Sequence, residues 1–275
     1  MTKPICTIIL NRNLPKVTDD LFDNIKKFND EYTDIYVVEA GSDKDRLSKY
    51  VSWYADWKEA KEHGLRYGRG MNFGLSNLYK ENKLRNYEAF LLLTNDTEFK
   101  KEPFIKDLYD IFKLHKRLAI VSPCSQSWGE KHLLKKEKIK YFWYIQNSAY
   151  LIRRSFIEEI LNTKTPGYLN FIFDGNNFRG YGIESELIAK AYANNWGAAI
   201  TSTVWSEENE SYLSEQHKLI KTESYEENIK LCIDEGMQWM KEKYGFKSKW
   251  SMQMYVKAFY DRFFEYYPEL ERYRL

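Results

Sequence analysis

A chain of 275 residues that is 43% hydrophobic and 30% charged is long enough to bury one large core, and its formal charge of +2 excludes the strongly basic footprint of a nucleic-acid binder. Aromatic content is 17%, with 22 Tyr and 8 Trp; most of these rings are expected in the core, although such rings also stack well on sugar faces. Cys6, Cys124 and Cys232 are odd in number, far apart and without metal-ligand spacing, which fits buried thiols in a reducing compartment. No apolar stretch approaches the roughly 18–20 residues of a membrane span, and the N-terminus does not read as a secretory signal. A cytoplasmic protein is expected, with the inner face of a membrane as a peripheral location left open.

The β-branched run at 5–10 predicts a buried strand that ends on Asn11-Arg12-Asn13, where Pro15 breaks the ladder. Leu21, Ile25 and Phe28 recur at helical spacing behind Asp19-Asp20, so a helix is expected over 18–30. A second strand, Asp34 to Val38, ends on Glu39-Ala40-Gly41-Ser42-Asp43. Strand, helix and strand within about 35 residues form a βαβ unit, so the sheet starts parallel.

Gly68, Gly70 and Gly74 then punctuate the approach to a helix from near Asn72 to about Glu81. That opening reads either as an anion-binding turn or, preferably, as an ordinary glycine turn. The apolar run at 89–94 predicts a strand that stops on Asn95-Asp96-Thr97-Glu98. A helix over 103–115, a strand from Arg117 to Ser122 and a polar, lysine-rich loop over 123–140 follow. Next come a strand over 143–152, a helix over 155–161 and a glycine- and amide-rich loop from Asp174 to Gly182. That loop leads into a helix from near Ile183 to near Asn194, and Ala198 to Val204 is the last strand. From about Thr222 the sequence is helical, charged and aromatic, without strand candidates.

Three strands thus deliver polar groups to one carboxyl edge, the place where open α/β sheets bind ligands. Glu39 is suited to accept hydrogen bonds from a base or ribose, and Asp96 to hold Mg²⁺ or Mn²⁺ against a diphosphate. For Glu39 and Asp43, turn and cap chemistry weighs evenly with a binding role, whereas for Asp96 ligand binding is favoured over a strand-end Asx turn. Glu184 and Glu186 open the helix after the glycine loop, but residues two apart cannot face the same way, which disfavours a glycosidase pair.

Several ordered segments carry a family resemblance over roughly residues 4–210: Val37-Val38-Glu39-Ala-Gly-Ser-Asp43, Arg69-Gly-Met-Asn72-Phe-Gly74, Leu93-Thr-Asn95-Asp96, Asn147-Ser-Ala-Tyr-Leu-Ile-Arg153-Arg154-Ser155 and Ile183-Glu184-Ser-Glu186-Leu187. Together they resemble the inverting glycosyltransferases of family 2. The resemblance implies an α/β GT-A fold, Rossmann-like with a mostly parallel central sheet flanked by helices, at 1–221; the change in composition near Thr222 marks a C-terminal helical extension at 222–275. It further implies a nucleotide-diphosphate sugar as donor, a glycan or lipid-linked acceptor, and a divalent metal. Glu184 takes the catalytic-base position and Asp96 the metal position. Asn11, Arg12, Glu39, Ser42, Asp43, Arg69, Asn72 and Asn95 fall around the nucleotide, and Trp143, Asp174 and Arg179 beside the acceptor.

The chain departs from the family pattern at three points. Thr97 replaces the second acid of the metal motif. Glu stands where Asp is commoner at the base position. Val204-Trp205-Ser206 lacks the His that many relatives place after the last strand, for which His217 is a candidate substitute. The alternatives are a nucleotidyltransferase or a carbohydrate- or nucleotide-binding module without catalysis. In the extension, Met252, Tyr255, Val256, Phe259, Phe263 and Tyr266 form a helical stripe beside mixed charges; packing against the catalytic domain or a partner subunit, as in a homo-oligomer, is favoured over a membrane surface.

Overall fold

The computed structural model describes residues 3–127, 129–134, 137–145 and 149–275. In chain order the first half holds β1 (Ile5–Asn11), α1 (Pro15–Asn29), β2 (Thr33–Glu39), β3 (Val51–Tyr54), α2 (Lys58–His63), α3 (Arg66–Lys80), β4 (Ala89–Thr94), β5 (Thr97–Phe99) and α4 (Ile105–Leu114). The second half holds β6 (Leu118–Cys124), β7 (Ile139–Tyr141), β8 (Ala149–Arg153), α5 (Arg154–Ile160), α6 (Ile183–Ala193), β9 (Gly197–Glu208), α7 (Ser211–Gln216), α8 (Tyr225–Tyr244) and α9 (Lys249–Tyr266).

All seven residues of β1 and of β6 are buried, as strands covered on both faces must be. The sheet order is β3-β2-β1-β4-β8-β6-β9-β5, with β7 paired to β9. The β3-β2-β1-β4 half is parallel, as the βαβ reading expects. β8 runs antiparallel to both β4 and β6, so the whole sheet is mixed. The register sets Asn11 opposite Glu39 and Leu10 opposite Thr94. The polar ends of three strands therefore emerge side by side.

Several boundaries differ from expectation. Pro15 does not merely end the strand but starts α1, because the first turn of a helix has no use for the N–H that proline lacks. Gly68, Gly70 and Gly74 do not form a turn before α3; they lie inside it, on its buried face. A Cβ on Gly70 would sit 2.3 Å from Leu10 Cδ1, so the missing side chain is what lets the helix lie close on β1. Of the strand expected over 143–152, only Ala149–Arg153 forms β8; Asn147 and Ser148 lie outside the described residues, as do Trp128, Lys135 and Lys136 of the lysine-rich segment.

The C-terminal helices join the body of the protein. α9 packs on α6, and Val256, Tyr260, Phe263 and Phe264 belong to the same apolar cluster as the central strands. The buried line differs from the expected stripe: Tyr260 and Phe264 take the inner positions, while Tyr266 is 57% exposed. No helix among the described residues is long and apolar enough to cross a membrane. Since Phe263 is 1% exposed, Phe263→Ala is expected to destabilise the whole chain by about 3–5 kcal/mol, read as a lower denaturant midpoint.

Candidate active site

A cavity of about 220 Å³ opens at the carboxyl edge of β1 and β4. Its floor includes Asn11, Arg12, Asn95 and Asp96; Arg66 and Tyr67 from the start of α3 form a wall, and Tyr212, Leu213, Ile220 and Thr222 form a roof. Of the nucleotide residues expected from sequence, Asn11, Arg12 and Asn95 thus line the cavity, as does the expected metal ligand Asp96.

Asn11 ties the edge together. Its Nδ2 donates to both carboxylate oxygens of Glu39 (3.0 and 2.9 Å), and its Oδ1 accepts from Asn95 Nδ2 (3.0 Å). Glu39 has no exposed surface and also accepts from Ser42 Oγ and the Ser48 N–H (2.7 Å). It therefore supports the edge from behind instead of lining the cavity. Ser42 likewise accepts from the Asn13 N–H (3.0 Å), and Asp43 pairs with Lys221 at 2.5 Å. The intervening Gly41 has φ +85°, and a Cβ there would fall 1.8 Å from the Ala60 carbonyl oxygen. Only glycine lets the end of β2 approach α2 this closely.

Arg12 donates to the last carbonyls of α2, those of Ala60, Lys61 and Glu62, at 3.1–3.3 Å, where a cation suits the negative end of the helix. It makes no carboxylate pair among the described residues. Burial, together with the neighbouring Arg66 guanidinium, pulls Arg12 down to about 10. Arg66 is held by Glu223 (3.1 Å), Thr222 Oγ1 (2.7 Å) and Asn228 Oδ1 (3.1 Å). Two desolvated guanidinium groups thus share one cavity, an arrangement suited to an anion.

Asp96 Oδ1 is buried with no hydrogen-bond partner. Burial pushes the Asp96 carboxyl above the usual range, against a hydrogen bond from Thr94. An acidic neighbour, Glu208, escaped the sequence reading. β9 runs on past Val204, and β5 pairs with it so that Thr97 lies opposite Glu208. The Asn209 N–H also donates to the Asp96 carbonyl (3.0 Å). Burial and the charge of Asp96 push Glu208 up to about 7. Glu208 thus brings an acid to the strand end at which Thr97 carries none. Among the described residues no group of three or more His, Cys, Asp or Glu is arranged to hold a metal, so His217 does not join these two.

Across Tyr67 stands the second centre. Glu184 occupies the first turn of α6, which Gly182, at φ +87°, precedes. Burial pushes its carboxyl up to about 7, although the backbone N–H groups of Gly182 and Glu184 favour the ionised form. The Tyr67 hydroxyl is buried without a partner and titrates well above its usual range, through burial and the charge of Glu184. Glu186 turns away, as its spacing requires, toward Lys243, Tyr244 and Lys190.

The other expected site residues hold the surrounding loops. Asn72 is saturated by Tyr168, Ile172 and Phe173 backbone groups, and Arg69 by the Gly175 carbonyl (2.7 Å) and Glu59 (2.7 Å). Asp174 accepts from Trp239 Nε1 (3.0 Å) and Lys243 Nζ (2.6 Å), while Arg179 is gripped by Glu223 and Glu235. Trp143 lies outside the cavity, against Tyr260 and Phe142. Arg66, Tyr67 and Glu208 were missed from sequence. The one local oddity among them is Arg66, whose φ of 56° becomes visible only in the structure.

No protein-family model matches the chain, and no curated protein sequence matches it. Solved structures do. TarS 1–349 from S. aureus in complex with UDP-GlcNAc is similar at 13% identity and TM-score 0.53, over 95% of this chain and 72% of that one. A second structure of S. aureus TarS 1–349 gives 13% identity and TM-score 0.51, over 87% of this chain and 72% of that one. Mannosyltransferase PcManGT from Pyrobaculum calidifontis, in complex with GDP-Man and Mn²⁺, gives 12% identity and TM-score 0.47, over 95% and 87%. The curled mixed sheet flanked by helices is the GT-A fold of glycosyltransferases.

Proposed function

We propose that the chain is an inverting glycosyltransferase that moves a sugar from a nucleotide-diphosphate donor to a hydroxyl group of a glycan or lipid-linked acceptor. The observation that carries this reading is the separation of two centres within one fold. A cationic cavity lined by Asp96 and Tyr67 is distinct from the Glu184 carboxyl, which is pushed up to about 7 by burial and whose charge reaches Tyr67. A base poised near neutrality is suited to take a proton from a hydroxyl. The UDP-GlcNAc held by the similarly folded TarS supports a nucleotide-sugar in the cavity.

In this reading Arg12 and Arg66 bind the diphosphate and offset the charge it gathers as the sugar leaves. Asn11 and Asn95, hydrogen-bonded to each other, hold the cavity floor rigid beneath the donor. Asp96, with its orphaned Oδ1, and Glu208 fit a hard divalent cation, which takes one or two protein carboxylates and completes its shell with water and phosphate. Such a cation would supply Lewis-acid stabilisation of the leaving diphosphate. Glu184 removes the acceptor proton as that oxygen attacks the anomeric carbon, and attack from the face opposite the leaving group inverts the centre.

A panel of UDP- and GDP-sugars, assayed for donor hydrolysis and calorimetric binding with and without Mn²⁺, tests the proposal. Turnover of one donor supports it. Absence of both binding and turnover across the panel overturns it, and consumption of a nucleoside triphosphate instead would favour a nucleotidyltransferase.

A further inference from the structure

A second concavity lies outside the donor cavity. It is a groove of about 560 Å³ between Trp143 and Tyr144, Tyr181, and the first two turns of α9. We propose that this groove is an acceptor subsite for a saccharide chain bearing carboxylate or phosphate groups. The inference rests on the glycosyltransferase reading above and adds the class of acceptor to it.

The walls are aromatic where a soluble surface is not expected to be. Trp250 is 69% exposed and Tyr144 44% exposed, and Trp143 lies between them and the core. Tyr144 meets Phe142 edge-on, whereas Trp250 is not among the rings packed on the apolar cluster. Flat rings facing a groove offer stacking surfaces for the C–H faces of sugar rings, and the volume falls within the roughly 300–1,000 Å³ of small-ligand sites.

The charge is one-sided. Lys249 and Lys257 line the groove, and among the described residues no carboxylate does. Lys249 Nζ lies 5.1 Å from the Tyr181 ring centroid, and Lys257 Nζ lies 5.6 Å from that of Trp143. Lys257 is paired with Asp261 behind it (2.5 Å), whereas Lys249 has no carboxylate within 4.0 Å among the described residues. Cations held over rings, with one left unpaired, complement an acidic sugar better than a neutral one.

The groove also leads to the right place. Tyr181 lines it and stands three residues before Glu184, close enough for that carboxylate to add to the effect of burial on the tyrosine hydroxyl. A chain lying in the groove would reach toward the base at one end. An exposed Trp with lysines is also a membrane-surface pattern, but here the rings line a concavity and the apolar side of α9 is already buried in the core.

The test is affinity electrophoresis of the full chain in native gels containing hyaluronan, polygalacturonate or dextran. Hyaluronan and polygalacturonate are expected to retard the protein and dextran is not. Trp250→Ala, at an exposed position, is expected to weaken retardation by roughly three- to tenfold, and Lys249→Gln to weaken it with both acidic polymers. Equal retardation by dextran, no retardation by any polymer, or retardation indifferent to both substitutions would overturn the proposal. So would flotation with vesicles of equimolar phosphatidylcholine and phosphatidylglycerol that Trp250→Ala abolishes. Calorimetry of UDP with Mn²⁺ on the same preparation separates the two readings. Retardation without nucleotide binding removes the glycosyltransferase and leaves a saccharide groove; nucleotide binding without retardation removes the groove alone.

Discussion

Glu184→Gln is expected to lower kcat for sugar transfer by about 10²–10⁴-fold while donor binding persists, because it removes the proton acceptor and leaves the cationic cavity intact. On the proposed mechanism, the parent chain should gain activity with pH up to about 7 and then level off, since only the ionised carboxylate acts as a base. Glu208 also lies near 7 in the free chain, but a bound cation holds it ionised. At saturating Mn²⁺ the remaining acid limb therefore belongs to Glu184, and it should vanish in whatever activity Glu184→Gln retains. Stability moves the other way. Burial raises the folded-state carboxyl from 4.5 to about 7, so its protonated form fits the fold, and stability is lost as pH rises through that interval. Glu184→Gln should consequently melt above the parent at pH 8, with the gap closing below about pH 4.5. Near-normal turnover in the variant would remove Glu184 from the base role.

Asp96→Asn should produce a change of sign that depends on metal. With Mn²⁺ present, donor affinity is expected to fall at least about tenfold, because the cation loses one of two protein carboxylates. Without metal, affinity should hold steady or improve, because an ionised Asp96 repels the diphosphate that Arg12 and Arg66 attract. Glu208→Gln should follow the same pattern more weakly. Calorimetric titration of the nucleotide with and without Mn²⁺ measures both terms. Affinity unchanged in both conditions would take Asp96 out of the site.

Three strands of the parallel half were legible in sequence as local runs, Ile5 to Leu10, Asp34 to Val38 and Ala89 to Thr94, while the half-exposed β3 was not. Their polar ends followed from the same runs, which is how Asn11, Arg12, Asn95 and Asp96 came to one edge. Glu184 was legible for a related reason, since a glycine loop before a helix marks the first turn. What stayed hidden depended on distant partners. The glycines of α3 look like a turn in isolation and become a packing face only beside Leu10, Ile8 and Val38. Glu208 lies beyond the expected end of its strand because β9 is extended by pairing with β5, a three-residue strand too short to show a period. Asn72, Asp174 and Arg179 have the residue types of a binding loop, yet each is occupied by backbone or side-chain partners that only the folded chain brings near.

The roof over the donor cavity has a thermodynamic consequence. Tyr212, Leu213, Ile220 and Thr222 leave about 220 Å³, below the roughly 300 Å³ at which small-ligand sites begin. Asn13 Nδ2 holds the Leu219 carbonyl (2.8 Å) and Asp43 holds Lys221, so the closed arrangement is fastened to the edge itself. On the glycosyltransferase reading, a donor of nucleotide-sugar size would bind only the fraction of molecules in which this segment has lifted, and its apparent dissociation constant would be the intrinsic one divided by that fraction. Weakening these fastenings would tighten donor binding without adding a single contact to the donor.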